Sequence, residues 1–559
     1  MPTLVLTNFN IVCAALGGFI TVFGLVSYLF KEKFYLSEAL ISLLAGLIFS
    51  PHATNLVRPE EYALHSVETL DTITLYFTRL VLGVQLVLAG VQLPSKYLRT
   101  EWRSLALLLG PGMVGMWIVT SLLVFAFVPH IPFLHALAVG ACVTPTDPVL
   151  SNSIVKGKFA DKNIPRDLQK IVVAESGAND GLGYPFLFLP LYLVRHVGFG
   201  GLGQHGGARM AVGLWFGETW GYTILLSVVY GAVVGWIAKE LLHWAEERNY
   251  VDRESFLVFA ITLALFIVGT VGMIGSDDVL ACFIAGNTFT WDDWFRIETK
   301  DDSFQSTIDM LLNVSIFIWF GAVCPWAEFY HNSVIPIWRL IPLGILVLIL
   351  RRLPIIYAMH THIPQIEQKR QALFVGFFGP IGVSAIFYLY VSLEFLNQIK
   401  VDGEVREDAK FLGEVMNVVI WFLCICSIVV HGLCIPMAKV GLSIPRTFSN
   451  AFSRDTDSDD PVPFHVQDRA ATANSDQLRR RRGGAADLLP QRVVRIGRSV
   501  MRSGENSARQ SRAGSQAPVP MTATATLAQD GDGQDEVAAG GTTRAIRFPD
   551  ERVAAAPST

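Results

Sequence analysis

Two short stretches of this 559-residue chain hold residues whose types and spacing could do chemistry. The first is Val143-Thr144-Pro145-Thr146-Asp147-Pro148-Val149, in the middle of an apolar run. Pro145 and Pro148 remove backbone donors and forbid a continuous helix, so the freed carbonyls need partners. A broken segment carrying a carboxylate and two hydroxyls offers hard oxygen ligands, which suit an alkali cation and not a soft metal. The bland alternative is a proline kink with a capping Asp. The second stretch is Ala174-Glu175-Ser176-Gly177-Ala178-Asn179-Asp180-Gly181. Glu175 and Asn179 are four apart, and Ser176 pairs at helical spacing with Asn179 and Asp180. One helix face then carries hydroxyl, amide and carboxylate. Gly177, Ala178, Gly181 and Gly183 would let another helix, such as the broken one, approach closely. Two acids within one and a half turns resist sharing full charge unless one is neutralised. A network that only glues helices is the alternative, but it rarely needs two acids in one membrane helix.

These residues need a bilayer-spanning scaffold. The hydrophobic fraction is 52%, the charged fraction 16% and the mean hydropathy +0.43, far from an ordinary soluble domain. The apolar residues fall in runs of about twenty, enough to cross a ~30 Å hydrocarbon core as a helix. Alternating barrel-type segments are absent, so the expected class is an all-α polytopic membrane protein. About thirteen spans are read, near 9–30, 36–50, 72–93, 104–128, 133–155, 168–193, 213–238, 255–273, 277–290, 306–326, 334–358, 371–395 and 411–438. Asn10 to Phe30 lacks a basic leader and reads as a first span rather than a signal peptide. Lys and Arg follow the odd-numbered spans, as at Lys31, Lys96, Lys156, Arg248 and Lys369, whereas the even-numbered ones are followed by few. The exception is 396–410, where acids offset Lys400, Arg406 and Lys410. The bias predicts the N-terminus outside and the C-terminus in the cytoplasm.

A net charge of -4 argues against a nucleic-acid partner. The seven cysteines lie in or beside apolar runs without metal-ligand spacing and read as small hydrophobes. From about Ser449 the apolar pattern ends, and 446–559 reads as a disordered cytoplasmic tail behind a transmembrane domain at 1–445. Within it, Leu488 to Arg502 interleaves apolar residues with arginines. A solvated basic linker is the favoured reading and an anionic lipid surface the alternative.

Four further features sit at membrane depth. Arg351-Arg352, followed by Pro354, lies inside the eleventh span, where an arginine wants a carboxylate; Glu175 is the favoured partner, and snorkelling to the cytoplasmic surface the alternative. Gly376-Phe377-Phe378-Gly379-Pro380-Ile381-Gly382-Val383-Ser384 interrupts the twelfth span. Broken segments in the fifth and twelfth spans, of opposite orientation, form the pattern of inverted repeats with binding at the midplane. Asp277-Asp278 opens the ninth span on the predicted outer side, either as a cation funnel or as a helix cap. His431 reads as a satisfied buried histidine rather than a sensor.

With Thr-Pro-Thr-Asp-Pro-Val at 144–149, Glu-Ser-Gly-Ala-Asn-Asp at 175–180 and Arg-Arg-Leu-Pro at 351–354, the chain resembles the monovalent cation:proton antiporters of the eukaryotic sodium/proton exchanger branch. Thr144 to Leu191, with Asp-Gly-Leu-Gly-Tyr-Pro-Phe-Leu-Phe from 180, resembles the fungal plasma-membrane sodium/proton antiporters. The resemblance covers roughly residues 1–445. It implies thirteen helices, a homodimer through the early helices, and a six-helix core with two crossing broken helices. It implies that Asp180 binds Na+ or a proton, supported by Asp147, Thr144 and Ser176, with Asn179 replacing the second acid of two-aspartate bacterial relatives. Glu175 would pair with Arg351 or Arg352. The implied function is secondary antiport of Na+, with Li+ and K+ left open, for protons by alternating access. No cofactor is implied. One departure stands out: many animal relatives carry an arginine in the Gly-rich motif of the twelfth span, where Pro380-Ile381 stands here.

Three rivals are weaker. An intramembrane aspartyl protease needs a second acid in a context that is missing. A channel would use rings of carbonyls or acids along an open pore. A carrier of anions is disfavoured by the acid-rich site.

Overall fold

In a computed structural model of the protein, residues 7–28, 36–148, 150–151, 164–198, 203 and 206–443 are described, with side chains to 434. The tail at 446–559, its basic stretch included, lies outside them, as do Lys31, Lys33 and Lys156 to Lys162. The described part is helical apart from one hairpin, Lys400–Val401 with Glu404–Val405. Lipid offers the backbone no hydrogen bonds, and helices satisfy their own.

The helices that matter below are α1 (Asn8–Tyr28), α2 (Glu38–Phe49), α3 (Val67–Gln92), α4 (Trp102–Phe127), α5 (Phe133–Cys142), α6 (Arg166–Gly181), α7 (Gly183–His196), α8 (Gly207–Glu247), α9 (Arg253–Ile274), α10 (Asp278–Phe289), α11 (Phe304–Val323), α12 (Ile337–His362), α13 (Lys369–Phe377), α14 (Val383–Asn397) and α15 (Glu407–Ser443). Among the described residues, eight helices are long and apolar enough to cross a membrane, and four more are apolar but shorter. The short ones are α2, α5, α10 and α14. Two of them, α5 and α14, are halves of interrupted spans. The sixth apolar segment, expected as one helix, also divides at Leu182, which separates α6 from α7.

The short helix α10 is enclosed by its neighbours. In α10, twelve residues long, all but Ile284 and Thr288 are buried. Its neighbours approach through glycine: a Cβ at Gly231 or Gly235 of α8 would fall 2.4 or 2.5 Å from carbonyls of Ala281 and Ala285, and one at Gly286 would fall 2.4 Å from the Val87 carbonyl of α3. α2 and α11 interlock in the same way, Gly46 against the Ile318 carbonyl and Gly321 against that of Leu43. Where hydrophobic collapse drives nothing, such backbone proximity is what holds helices together.

Helix ends follow the expected chemistry. Ser66 caps α3 by accepting from Thr69 N, and Asp252 caps α9 by accepting from Ser255 N. Gly275 closes α9 in a left-handed conformation (φ 76°) that a glycine adopts without strain. Arg406, in the one basic loop that departs from the charge bias, is not free. It pairs with Asp408, its Nε 2.5 Å from Oδ1, and donates to the carbonyls of Val194 and Arg195 at the end of α7.

Candidate cation site at two interrupted helices

The unwound residues 143–147 after α5 meet the unwound residues 378–382 between α13 and α14. Pro145 and Pro148 break the first stretch; Gly379, Pro380 and Gly382 break the second. They are stitched by backbone: Asp147 N donates to Pro380 O at 3.0 Å. Asp147 Oδ2 in turn accepts from Val383 N at 2.5 Å, the first residue of α14. A carboxylate at a helix N-terminus meets both orphan N–H groups and the positive end of the dipole. Ile381 N donates to Ser427 Oγ of α15 at 2.7 Å.

The polar face of α6 lies against the first stretch. Asn179 Oδ1 accepts from Thr146 N at 3.1 Å, and its Nδ2 donates to Thr146 Oγ1 at 2.7 Å. Ser176 Oγ lies 3.2 Å from Thr146 Oγ1 and donates to Ser151 Oγ at 3.2 Å. The hydroxyl meeting α6 thus belongs to Thr146. Thr144, named from the sequence as the supporting threonine, is buried but turns its Oγ1 back to Gly140 O at 2.8 Å. In an unwound stretch no periodicity says which hydroxyl faces the neighbour, so spacing could not choose between them.

Asp180 is 1% exposed, and among the described residues neither of its carboxylate oxygens has a hydrogen-bond partner. Ser384 Oγ of α14, also buried, neighbours it. Tyr388 of α14 donates to the Asp180 backbone carbonyl. Asp147 accepts from Val383 N; Asp180 sits beside the Ser384 hydroxyl with its own oxygens open among the described residues.

The two arginines stay inside. Both are 2% exposed, where α12 is interrupted between Leu350 and Leu353, so neither snorkels. Arg352 forms a bidentate pair with Glu175, Nη1 to Oε1 at 2.5 Å and Nη2 to Oε2 at 2.7 Å. Its Nε donates to Val375 O at 2.9 Å. Removing one partner of such a pair costs about 3–5 kcal/mol, because the other charge is left buried alone.

Residues 18–439 match the sequence model of the family described as "Sodium/hydrogen exchanger, transmembrane". The chain belongs to this family. Over 454 residues it is 38% identical to a protein of Schizosaccharomyces pombe named as a probable Na(+)/H(+) antiporter, covering 80% of this chain and 58% of that one. Over 457 residues it is 36% identical to an Na(+)/H(+) antiporter of Saccharomyces cerevisiae, covering 79% and 45%. The chain thus spans about half the length of these two relatives. In fold it is similar to the sodium proton antiporter of Methanocaldococcus jannaschii, with a TM-score of 0.55 at 17% identity, covering 78% of this chain and 100% of that one. The chain is therefore a multi-pass membrane protein with the antiporter fold.

Against this frame of helices, the Asp277-Asp278 pair is not an open funnel. Both are buried, at 0% and 2% exposure. Asp277 Oδ1 caps α10 by accepting from Leu280 N at 3.0 Å, and Oδ2 is unpartnered. Asp278 is held by Arg79 Nε of α3 at 2.6 Å. Neighbouring helices cover this end of α10, which the local sequence around 277 does not reveal. Sequence reasoning missed Arg79, and also Gln85, whose Nε2 joins Asp309 at 3.1 Å and Asn313 at 2.5 Å between α3 and α11. Polar residues inside apolar runs were the available signal for both. His431 is a satisfied buried histidine: Nδ1 lies 2.9 Å from Ser427 O and Nε2 3.1 Å from Phe377 O.

Proposed function

We propose that this chain is a secondary transporter, not an enzyme, that exchanges Na+ for protons across a membrane, with Asp180 as the carboxylate both substrates share. The observation that carries this reading is the state of Asp180: buried in the antiporter fold with both oxygens unpartnered. The other two acids of this junction have settled roles. Asp147 holds the start of α14, and Glu175 holds Arg352. A buried anion with no partner is unfavourable by several kcal/mol, so Asp180 takes a proton or a dehydrated cation, and never both at once. Mutual exclusion couples the two fluxes once the site is exposed to each side in turn. Ser176, Thr146 and Asn179 supply the neutral oxygens that would replace a cation's water shell, and Asp147 positions the broken stretch that carries Thr146.

The same reading extends to the whole molecule. Thirteen spans at 1–445 precede a cytoplasmic tail at 446–559, in a plasma membrane with the N-terminus outside. Among the described residues, each of the thirteen apolar segments falls at least in part on a helix, which supports that count. Two chains associate through the early helices; α1, with only 6% of its apolar window buried, has the exposed surface such contact needs. No resident cofactor is invoked. Li+ and K+ are alternative substrates, decided by the radius the site accepts.

The test is cation-induced collapse of a pH gradient in proteoliposomes, comparing the intact protein with Asp180→Asn. Collapse by Na+ with the intact protein alone is expected. Sodium-driven proton flux retained in Asp180→Asn sinks the assignment, and no flux in either protein sinks exchange itself.

A further inference from the structure

Ser384 is the second residue of α14 and is 1% exposed. Among the described residues its Oγ makes no hydrogen bond. A buried helical hydroxyl commonly bonds the carbonyl four residues earlier, as Thr120, Thr144 and Ser392 do to Met116, Gly140 and Tyr388. Ser384 has no such carbonyl below it. Four residues earlier stands Pro380, in the unwound stretch, and its O accepts from Asp147 N at 3.0 Å. The hydroxyl is left beside Asp180, whose own two oxygens are open. Tyr388, one turn along the same face of α14, donates to the Asp180 backbone carbonyl and so sets that face against α6. Other oxygens of the junction are engaged. Thr146, Ser176 and Asn179 hydrogen-bond one another. The carbonyls of Val143, Thr144, Pro145 and Gly379 accept from Arg351. An acid and a hydroxyl that are buried, adjacent and unbonded to each other are both satisfied by one shared atom between them.

We propose that Ser384 Oγ is a ligand of the transported cation, supplied by α14 across from Asp180 of α6, and that it favours small, strongly hydrated cations over large ones. The inference deepens the reading of Asp180 as the shared carboxylate and rests on it. The number and field strength of the oxygens decide which cation recovers its dehydration cost. Li+ and Na+ are the most strongly hydrated of the series, so withdrawing one oxygen penalises them most and K+ and Rb+ least. When Asp180 carries a proton instead, its O–H donates to the same hydroxyl oxygen, so one serine serves both states. The hydroxyl is held in place from both sides of its own helix turn, by Asp147 on Val383 N at 2.5 Å and by Tyr388 on α6.

The experiment uses the full chain with Ser384→Ala, Ser384→Cys and Ser384→Thr, read by binding and by flux. Binding requires no transport: the concentration of Li+, Na+, K+ or Rb+ that gives half-maximal thermal stabilisation of the purified protein is measured. Ser384→Ala is expected to raise it about tenfold for Li+ and Na+, the loss of one contact to a charged group, and less than about threefold for K+ and Rb+. Ser384→Cys is expected to match Ser384→Ala, because a soft sulfur replaces a hard oxygen, whereas Ser384→Thr keeps the preference for Na+. In proteoliposomes KM follows the same pattern while Vmax stays within about threefold. An equal loss for all four cations overturns the proposal, since the serine would then act on the acid and not on the ion. So does a Ser384→Cys that behaves as the intact protein, since side-chain volume would then suffice. Should Ser384→Ala fail to fold, the nearly isosteric Ser384→Cys decides on the same terms. Intact protein that exchanges Na+ beside a Ser384→Ala of unchanged affinity overturns this inference alone. Intact protein that binds Na+ without exchanging it overturns the exchange reading and leaves the binding test standing; intact protein that no cation stabilises overturns both.

Discussion

The two interrupted helices make one junction from opposite materials. The stretch after α5 is rich in functional groups: Thr144, Thr146 and Asp147 between two prolines. The stretch between α13 and α14 has almost none, and Gly379, Pro380, Ile381 and Gly382 bring backbone and room. One contributes ligands, and the other contributes the N–H groups and carbonyls that hold them. Each side's chemistry is tolerable only beside the other's. Asp147 without Val383 N would lose a donor that holds its buried charge, and the orphan amide of Val383 would lack its acceptor without Asp147.

The largest effect expected from disturbing this division is at Gly382. A Cβ there would stand 1.7 Å from Asp147 Oδ2, which Val383 N already fixes. Gly382→Ala must push the carboxylate off the helix end, and Thr146 sits one residue away. Exchange in proteoliposomes should fall by at least about tenfold while gel filtration still reports folded protein. Flux equal to that of the intact chain would mean that the second stretch is a spacer with no role in placing Asp147.

Gly379 tests the same idea at one remove. Its Cβ would lie 2.2 Å from Arg352 Cδ and 3.2 Å from Thr146 Cγ2. The nearer obstacle is a side chain that can bend, but its head is clamped by Glu175 in two hydrogen bonds. Gly379→Ala should therefore lower the thermal midpoint clearly and reduce exchange several-fold, less than Gly382→Ala does. A reversed order of the two variants would place the sensitive contact at the Glu175–Arg352 pair rather than at Asp147.

Much of the junction was legible because lipid makes every polar residue conspicuous. Asp147, Glu175, Asp180, Arg351 and Arg352 stand out by type alone in apolar runs, and prolines or glycines mark where helices must break. Helical spacing placed Ser176, Asn179 and Asp180 on one face because that segment stays helical. Spacing failed where the backbone unwinds, which is why Thr146 and not Thr144 meets α6. It failed also for partners far apart in the chain. Arg79 and Asp278 are 199 residues apart, and burial of the Asp277-Asp278 pair depends on helices that its local sequence does not mention. Adjacent arginines project about 100° apart on a helix, and the break in α12 blurs even that, so only coordinates separate the one facing Glu175 from the one facing carbonyls.

The smallest effect concerns the outer support of the glycine-rich stretch. Ile381 N donates to Ser427 Oγ at 2.7 Å, a bond that ties the backbone to α15 and touches neither acid. Ser427→Ala leaves a buried amide without its acceptor, worth about 1–3 kcal/mol. His431 loses the contact of its Nδ1 to Ser427 Oγ at 3.1 Å but keeps those to the carbonyls of Ser427 and Phe377, so the local packing changes little. The thermal midpoint should drop while exchange stays within about threefold of the intact protein. If stability holds and exchange collapses instead, the backbone of this stretch moves during turnover and Ser427 guides it, so the contrast between a ligand-bearing helix and a passive one fails.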